Sequence, residues 1–198
     1  MTAILKSAQE LEVMAEAGRL AGEVLEKLCL QARPGVSTLQ LDNLAEELIK
    51  KSGGEPGFKR VPGYYHSICT AVNEEVVHGV PGKRVLQDGD IVAIDLGVYF
   101  NGFHSDTAVT ISVGKVRAEA SKFIEVGRQA LRAGISKAQI GNRVGDISAA
   151  VEEILTSSKY GIVHSLTGHG VGRELHEDPL IPNHGLPGTG ELLREGMV

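Results

Sequence analysis

Apolar residues recur at three- and four-residue steps in the first fifty positions and predict two amphipathic helices. The first helix begins at a capping box formed by Ser7 and Glu10 and ends near Pro34. The second begins at another capping box, Ser37 with Gln40, and ends at a Ser-Gly-Gly breaker. The starts of both helices therefore follow from local capping chemistry as well as from the apolar pattern.

The turn between these helices has a second copy later in the chain. The segment 133–139 has residue types similar to those of 34–40, position by position. Each copy lies between two helical patterns and precedes a β-rich stretch that contains histidine. Two related halves, each helical first and β-rich second, are therefore expected, with a shared site where the two sets of strands meet. The alternative is two unrelated helix pairs that use common capping chemistry.

Runs of β-branched and alternating residues predict four strands, at roughly 67–77, 90–98, 104–113 and 160–167. The stretch 55–64 is rich in Gly and Pro and is predicted to be a loop. Because helices precede strands without strict βαβ alternation, the fold class is α+β with a mainly antiparallel sheet. No linker or low-complexity tract divides the sequence, so a single domain over 1–198 is expected.

Two of these strands form a hairpin, and each arm contains one aspartate, Asp95 or Asp106. Asn101-Gly102 between them favours a two-residue type I′ turn, because both central positions of that turn need positive φ. In that register Asp95 lies opposite Ala108, whereas a turn centred one residue earlier places the two aspartates directly opposite each other. Side chains alternate along a strand, so in either register both carboxylates point to the same face.

Two anions on one partly buried face repel each other and lose hydration, so a counter-charge is expected. A lone aspartate in a strand more often caps a turn or pairs with a surface base. Neither arm of this hairpin contains Lys or Arg, however, and strands are depleted in Asp. A divalent cation, or a pair of them, is the simplest counter-charge. Carboxylates suit Mg²⁺, Mn²⁺, Fe²⁺, Co²⁺ or Zn²⁺, and an added imidazole favours a transition metal.

Three of the seven histidines lie in predicted loops that present them, namely His78, His169 and His176. The glycines on both sides of His169 let the backbone turn tightly and bring the imidazole close to an ion. Each histidine taken alone is more often a surface or hydrogen-bonded residue than a catalytic one. The glycines around His169 do not form G-x-G-x-x-G and no helical pattern follows them, so a phosphate loop is excluded.

Composition narrows the class of protein. The 198 residues are 42 % hydrophobic and 23 % charged, which is enough for one sizeable core. A net charge of −5 argues against nucleic acid, an anionic membrane or acidic substrates as the main partner. Cys29 and Cys69 lie far apart without metal-ligand spacing, which predicts reduced thiols in a cytoplasmic protein. Neither a transit peptide nor a membrane-spanning segment is expected.

The chain resembles the type I methionine aminopeptidases in the motifs that contain its candidate chemistry: the run 73–81, Asp95, Asp106, the Gly-His169-Gly loop and Leu175-His176-Glu177. The resemblance extends over essentially the whole sequence. It implies the pita-bread fold, whose two pseudo-symmetric halves agree with the internal repeat. It also implies two divalent metal ions per full-length subunit, of Co, Mn, Fe or Zn. The implied activity is removal of the initiator methionine from new polypeptides with a small second residue, through metal-activated water.

The same resemblance implies roles for five residues. Asp95 would bind one metal ion, Asp106 would bridge both ions, and His169 would bind the other. His78 would contact the substrate backbone near the scissile bond. His176 would hydrogen-bond the carbonyl oxygen and stabilise the tetrahedral intermediate, where a donor is needed as negative charge develops.

A pocket for the methionine side chain is also implied by the resemblance. Tyr64 and Cys69 match positions that line this pocket in the family, and Phe58 and Leu175 are further candidates. Leu175 stands where family members often have an aromatic residue, which alters the expected shape of the pocket.

One departure from the family concerns the C-terminal region. Family members continue past Glu195-Gly196-Met197 into a strand with a glutamate that is metal ligand and general base, and a later strand supplies a bridging glutamate. Two carboxylates and one imidazole are too few to hold two ions. Residues 1–198 are therefore expected to be a catalytic domain that is incomplete at Val198, a fragment with poor activity of its own.

Two alternatives remain open beside the aminopeptidase. An Xaa-Pro peptidase of the same fold is disfavoured because those enzymes usually have a large N-terminal domain. A truncated or non-catalytic binding module of the same fold would act on ribosomes or nucleic acid. The intact set of candidate residues argues against lost chemistry, and the acidic charge argues against nucleic acid. Under the leading hypothesis the partners are N-terminal methionine peptides of nascent chains, with the ribosome as a further candidate. A monomer without nucleic acid or membrane contacts is expected.

Overall fold

The structure, a computed structural model, describes residues 3–198. Its elements in chain order are α1 (Ala8–Gln31), α2 (Thr38–Lys51), β1 (Glu55–Pro56), a 3₁₀ turn (Gly57–Arg60), β2 (Ile68–Val72), β3 (Ile91–Phe100), β4 (Phe103–Ser112), α3 (Ala118–Lys137), α4 (Val144–Ser157), β5 (Thr167–Gly170) and β6 (Glu177–Pro182). The chain divides into two compact units. The hairpin unit comprises Glu12–Ser121 with Gly172–Leu175, and the terminal unit comprises Met1–Leu11, Lys122–Val171 and His176–Val198.

Both predicted capping boxes are present at the starts of α1 and α2. The Ser7 backbone N–H donates to the Glu10 carboxylate at 2.8 Å, and the Glu10 N–H donates to the Ser7 hydroxyl at 3.3 Å. The same reciprocal pair joins Ser37 and Gln40, at 2.8 Å and 3.3 Å. Each box satisfies backbone donors that a helix start leaves without an intrahelical partner. The predicted helix starts are therefore confirmed.

A four-stranded antiparallel sheet forms the β part of the hairpin unit. The long strand β3 pairs with β4 along one edge and with β2 and β1 along the other. Buried side chains of α1, α2 and these strands form the main core; its large fully buried members include Leu28, Leu41, Ile49, Ile68, Ile94 and Leu96. The predicted α+β class with an antiparallel sheet is confirmed.

Two predicted strands have different limits in the structure. The strand expected at 67–77 ends at Val72, because Asn73 has a φ of 59° and begins a turn. The strand expected around 160–167 is absent there, and β5 begins only at Thr167. Lys159, with a φ of 64°, ends α4 in a left-handed conformation. The stretch 55–64, predicted as a loop, contains β1 and the 3₁₀ turn.

The terminal unit contains most of α3, all of α4 and a two-stranded antiparallel sheet of β5 and β6. The residue before α4, Arg143, forms an antiparallel bridge with Leu192. In the hairpin unit the residue before α2, Ser37, forms an antiparallel bridge with Val85. Both helices have 14 residues. Each half of the chain therefore contains the same bridge-then-helix arrangement.

The sequence alignment of the repeat was wrong in register. Residues 133–139 were matched to the turn before α2, but α3 extends to Lys137 and contains most of them. The turn that corresponds lies further along, because Gly35 and Gly141 have φ values of 94° and 92° and each stands two residues before the bridging residue. Shared Gly and Ser letters in 133–139 reflect composition rather than an equivalent turn.

Cys29 and Cys69 are both free thiols, as predicted. Cys29 is partly exposed and Cys69 is buried. Across residues 3–198, none of the helices is long and apolar enough to cross a membrane.

Candidate active site

The hairpin of β3 and β4 has the register that its Asn-Gly turn predicts. Asn101 and Gly102 both have positive φ, 48° and 92°, as a type I′ turn requires. Asp95 lies opposite Ala108, and Asp106 lies opposite Gly97. The alternative register, with the two aspartates directly opposite, is therefore excluded.

Asp95 and Asp106 form a close, partly buried carboxylate pair on one face of this hairpin. Burial, the negative charge of Asp106 and a hydrogen bond between the two side chains raise the pKa of Asp95 to about 7. A proton relieves the repulsion between the two carboxylates in the metal-free protein. A divalent cation would relieve it in the same way while leaving both groups ionised, so the pair fits the counter-charge that the sequence predicts.

Cys69 lies beside this carboxylate pair, because it is the partner of Asp95 in the ladder between β2 and β3. Cross-strand partners share a face, so the Cys69 thiol and the Asp95 carboxylate lie on the same side of the sheet. The thiol donates to the Tyr64 hydroxyl at 3.2 Å, and that hydroxyl donates to the Ile68 carbonyl at 2.7 Å. Burial is the main reason that the pKa values of the Cys69 thiol and the Tyr64 phenol are raised. Both groups are therefore neutral near pH 7.

A small apolar cluster adjoins these residues in the hairpin unit. Phe58, Cys69 and Leu175 form a buried cluster, and the half-buried Tyr64 packs against it. The Phe58 and Tyr64 rings lie edge to face with centroids 6.5 Å apart. The four residues that the resemblance assigns to methionine binding are thus brought together.

Leu175 reaches this cluster through a short segment that returns to the hairpin unit. The backbone N–H of His104 in β4 donates to the Gly172 carbonyl at 2.7 Å. This bond fixes the start of Gly172–Leu175 beside the sheet. Sequence separation hides the contact, because Leu175 lies far along the chain from Phe58.

Gly97 packs against this cluster, and its part in the site was not identified from the sequence. A Cβ atom at this position would lie 2.9 Å from the Ser105 carbonyl oxygen and 3.0 Å from Cε1 of Phe58. The missing side chain therefore lets the Phe58 ring pack directly on β3. An isolated glycine inside a strand pattern often marks such a close approach, and that signal was present in the sequence.

His78 lies in the same unit, in the loop after the turn that follows β2. Its side chain is exposed and its backbone has a φ of 57°. The next residue, Gly79, accepts a hydrogen bond from the Thr70 N–H at 2.8 Å. A Cβ atom on Gly79 would lie 2.0 Å from the Thr70 carbonyl oxygen, so only glycine permits this contact. Gly79 thus holds the exposed imidazole beside β2.

His169 and His176 lie together in the terminal unit, with ring centroids 4.4 Å apart and an interplanar angle of 63°. Nδ1 of His169 lies 2.9 Å from the Gly170 carbonyl oxygen. In the tautomer that donates from Nδ1, Nε2 holds the lone pair that a metal ion needs. His169 also lines an apolar cavity of about 470 Å³ between α3, α4, β5 and β6.

Asp95 and Asp106 thus belong to the hairpin unit, and His169 belongs to the terminal unit. Among residues 3–198, no three His, Cys, Asp or Glu side chains lie in an arrangement that could hold a metal ion. The structure therefore supports the part of the metal prediction that concerns the carboxylate pair. The full ligand set of Asp95, Asp106 and His169 stays a prediction.

The fold and the carboxylate pair agree with the family and the relatives that the sequence matches. The sequence profile of metallopeptidase family M24 matches residues 12–198, and the chain belongs to this family. Methionine aminopeptidase of Clostridium acetobutylicum is 47 % identical over 196 residues, which is 98 % of this chain and 78 % of the relative. Methionine aminopeptidase 1 of Bacillus subtilis is 45 % identical over 195 residues, which is 98 % of this chain and 79 % of the relative.

Solved structures give the same result for the fold. The methionine aminopeptidase from Thermotoga maritima superimposes with a TM-score of 0.96 at 40 % identity, over 99 % of this chain and 79 % of that one. The prolidase from Pyrococcus furiosus superimposes with a TM-score of 0.85 at 27 % identity, over 98 % of this chain and 56 % of that one. The predicted pita-bread fold is confirmed.

Proposed function

We propose that this chain is a metal-dependent aminopeptidase that removes the N-terminal methionine of nascent proteins with a small second residue. The observation that supports it best is the carboxylate pair of Asp95 and Asp106 beside a neutral apolar cluster in the same unit. The M24 family membership and the names of the relatives at 45–47 % identity agree with it.

The pocket suits the side chain of methionine. Phe58, Tyr64, Cys69 and Leu175 give the proposed pocket an apolar lining, and two of them, Phe58 and Tyr64, have aromatic rings that interact well with a thioether. Leu175, in place of an aromatic residue, leaves more room on one side. Binding of the methionine side chain here places the N-terminus of the substrate next to the carboxylate pair.

Asp95, Asp106 and His169 are proposed as three of the ligands of a site for divalent metal ions, two of Co, Mn, Fe or Zn. Bound ions of this kind supply Lewis acidity and make water a nucleophile near neutral pH. The carboxylates supply the negative charge that such ions require, and their mutual repulsion is relieved when cations bind. Imidazole nitrogen from His169 favours a transition metal over Mg²⁺.

Two further histidines have proposed roles on the substrate. His78, exposed beside β2, would contact the substrate backbone near the scissile bond. His176 would donate a hydrogen bond to the carbonyl oxygen, where negative charge develops during hydrolysis. Hydrolysis adds a hydroxyl to the carbonyl carbon and a proton to the departing amine, so neither histidine is consumed.

We infer a cytoplasmic enzyme that works on nascent chains, which brings it near the ribosome, and that is monomeric. Two free cysteines agree with a reducing compartment. Residues 1–198 are proposed to act as one catalytic domain. The acidic net charge gives no electrostatic reason for contacts with nucleic acid or membranes.

Peptide hydrolysis with added Mn²⁺ or Co²⁺ tests the proposal. Met-Gly-Met and an Ala-Pro peptide are incubated with the chain at comparable concentrations of chain and peptide, so that slow turnover is detected. We expect release of free methionine from Met-Gly-Met and no cleavage of the Ala-Pro peptide. Cleavage of the Ala-Pro peptide alone would instead identify an Xaa-Pro peptidase. No cleavage of either peptide, with metal binding shown by calorimetry, would contradict both enzymes and favour a binding module.

A further inference from the structure

The carboxylate of Asp42 on α2 is buried, and its residue is only 4 % exposed. A buried carboxylate needs hydrogen-bond donors to offset its lost hydration. The donors come from three consecutive residues, His66 and Ser67 in the loop before β2 and Ile68 at the start of β2. The Ser67 and Ile68 N–H groups donate to Oδ1 at 2.7 Å and 3.2 Å, and Nδ1 of His66 lies 2.7 Å from Oδ2.

This loop connects the two pocket residues that lie nearest the carboxylate pair. Tyr64 stands two residues before His66, and Cys69 directly follows Ile68. The Tyr64 ring packs edge to face on the His66 ring, with centroids 5.9 Å apart. Its hydroxyl donates to the Ile68 carbonyl at 2.7 Å. Asp42 therefore binds the backbone of Ser67 and Ile68 and the ring of His66, and the positions of Tyr64 and Cys69 depend on these groups.

The other end of this connection is fixed in the main core. On α2 the neighbours Leu41 and Ala45 are 1 % and 0 % exposed and belong to the core cluster. The loop is thus tied to a rigid element rather than to another loop, which is what accurate placement of a binding site requires.

We propose that Asp42 and His66 are positioning residues that set the shape, and hence the side-chain specificity, of the methionine pocket. This inference rests on the proposed aminopeptidase function. With the loop held, Tyr64 and Cys69 keep a fixed separation, and the pocket accepts a long unbranched side chain. With the loop released, the Tyr64 wall moves, the fit to methionine weakens and branched side chains gain access.

The kinetic test compares Met-Gly-Met with Leu-Gly-Met in His66→Ala and Asp42→Asn. The ratio of kcat/KM values, Met over Leu, is expected to fall about tenfold in each variant, mainly through a higher KM for the methionine peptide. His66→Asn keeps an N–H donor near the position of Nδ1 and is expected to restore most of the discrimination. His66 is partly exposed, so its replacement allows folding even where Asp42→Asn does not.

A matched control separates pocket shape from general loss of stability. Ser37→Ala removes the capping hydroxyl from the same helix but contacts neither Tyr64 nor His66. It is expected to lower the unfolding midpoint while leaving the Met-over-Leu ratio unchanged.

A second readout needs no turnover. Cys69 is 7 % exposed, and its thiol contacts Tyr64, so alkylation by iodoacetamide reports on the loop. In the metal-free chain, peptide mass spectrometry is expected to show several-fold faster labelling of Cys69 in His66→Ala than in the parent chain. Labelling of Cys29, which lies on α1, is the internal reference and is expected to be unchanged.

The outcomes separate this inference from the proposed function. An unchanged Met-over-Leu ratio in His66→Ala and Asp42→Asn, in a chain that hydrolyses Met-Gly-Met, would overturn the inference and leave the function standing. Absence of hydrolysis in the parent chain would contradict the function. In that case an unchanged Cys69 labelling rate would overturn the positioning role of His66 as well, and faster labelling would support it.

Discussion

Two carboxylates on neighbouring strands dominate the electrostatics of this protein at the scale of single residues. Asp95 and Asp106 share a hydrogen bond and a partly buried face, and the pKa of Asp95 is raised to about 7 as a result. The folded chain stores unfavourable electrostatic free energy whenever both groups are ionised without a cation. A cation bound at the proposed site would remove that cost, and folding stability, pH and cation affinity would then be linked at one pair of residues.

The stability of the metal-free protein is expected to fall as the pH rises from about 4 to about 7. Asp95 has an ordinary pKa of 3.8 in the unfolded chain and about 7 in the folded chain, so the folded state binds more protons in this range. The contribution of Asp95 to stability is therefore greatest below the unfolded pKa and declines by an amount on the order of a few kcal/mol as the pH passes the folded value. Urea unfolding in EDTA at several pH values measures this slope.

Two variants check the origin of that pH dependence. Asp95→Asn removes the titrating group and is expected to flatten the slope between pH 5 and pH 8. Glu12→Gln removes an exposed carboxylate from α1 and is expected to leave the slope as it is. An equal slope in Asp95→Asn and the parent chain would show that the carboxylate pair is not its source.

Gly97 provides a second prediction for a single residue. Gly97→Ala places a Cβ atom 2.9 Å from the Ser105 carbonyl oxygen and 3.0 Å from the Phe58 ring, so backbone or ring must shift. The free energy of unfolding is expected to fall by about 1–3 kcal/mol. Gly22→Ala, in the interior of α1 with nothing within 4 Å of the new Cβ, is expected to raise it by about 0.5–1 kcal/mol. Chemical denaturation of both variants gives the comparison, and equal effects would refute the packing argument.

At the scale of elements, local chemistry decides which parts of the fold are predictable. The capping boxes at Ser7 and Ser37 and the Asn101-Gly102 turn are local signals, and each gave the right start or register. The short strands β1, β5 and β6 have two to six residues and depend on pairing with distant segments, so no periodic pattern identified them.

Ser37 and Ser136 test the capping chemistry of the repeat. Ser37→Ala removes the hydroxyl that accepts the Gln40 N–H and is expected to cost about 1 kcal/mol of unfolding free energy. Ser136 was matched to Ser37 by sequence, but it lies inside α3 and its hydroxyl donates to the Ala133 carbonyl. Ser136→Ala is therefore expected to change stability by less than about 0.5 kcal/mol. A cost at Ser136 equal to that at Ser37 would support the original sequence alignment.

At the scale of the whole molecule, the candidate site was predictable only in part. The aspartate pair follows from turn chemistry and the two-residue period of strands, which are properties of adjacent residues. The side-chain pocket followed from family resemblance, because Leu175 meets Phe58 only in the folded chain. The bond between Asp42 and His66 spans 24 residues and has no sequence signature, so it emerged from the structure alone.

The M24 family relationship and the carboxylate pair lead to the central claim, that this chain removes N-terminal methionine with a divalent metal ion. The most direct test incubates the chain with Met-Gly-Met in Mn²⁺ or in EDTA and measures the release of free methionine by chromatography. We expect release in Mn²⁺ and none in EDTA. In Asp106→Asn we expect release at least about 100-fold slower, since loss of a proposed ligand would weaken metal binding. Release that persists in EDTA, or at an unchanged rate in Asp106→Asn, would contradict the account.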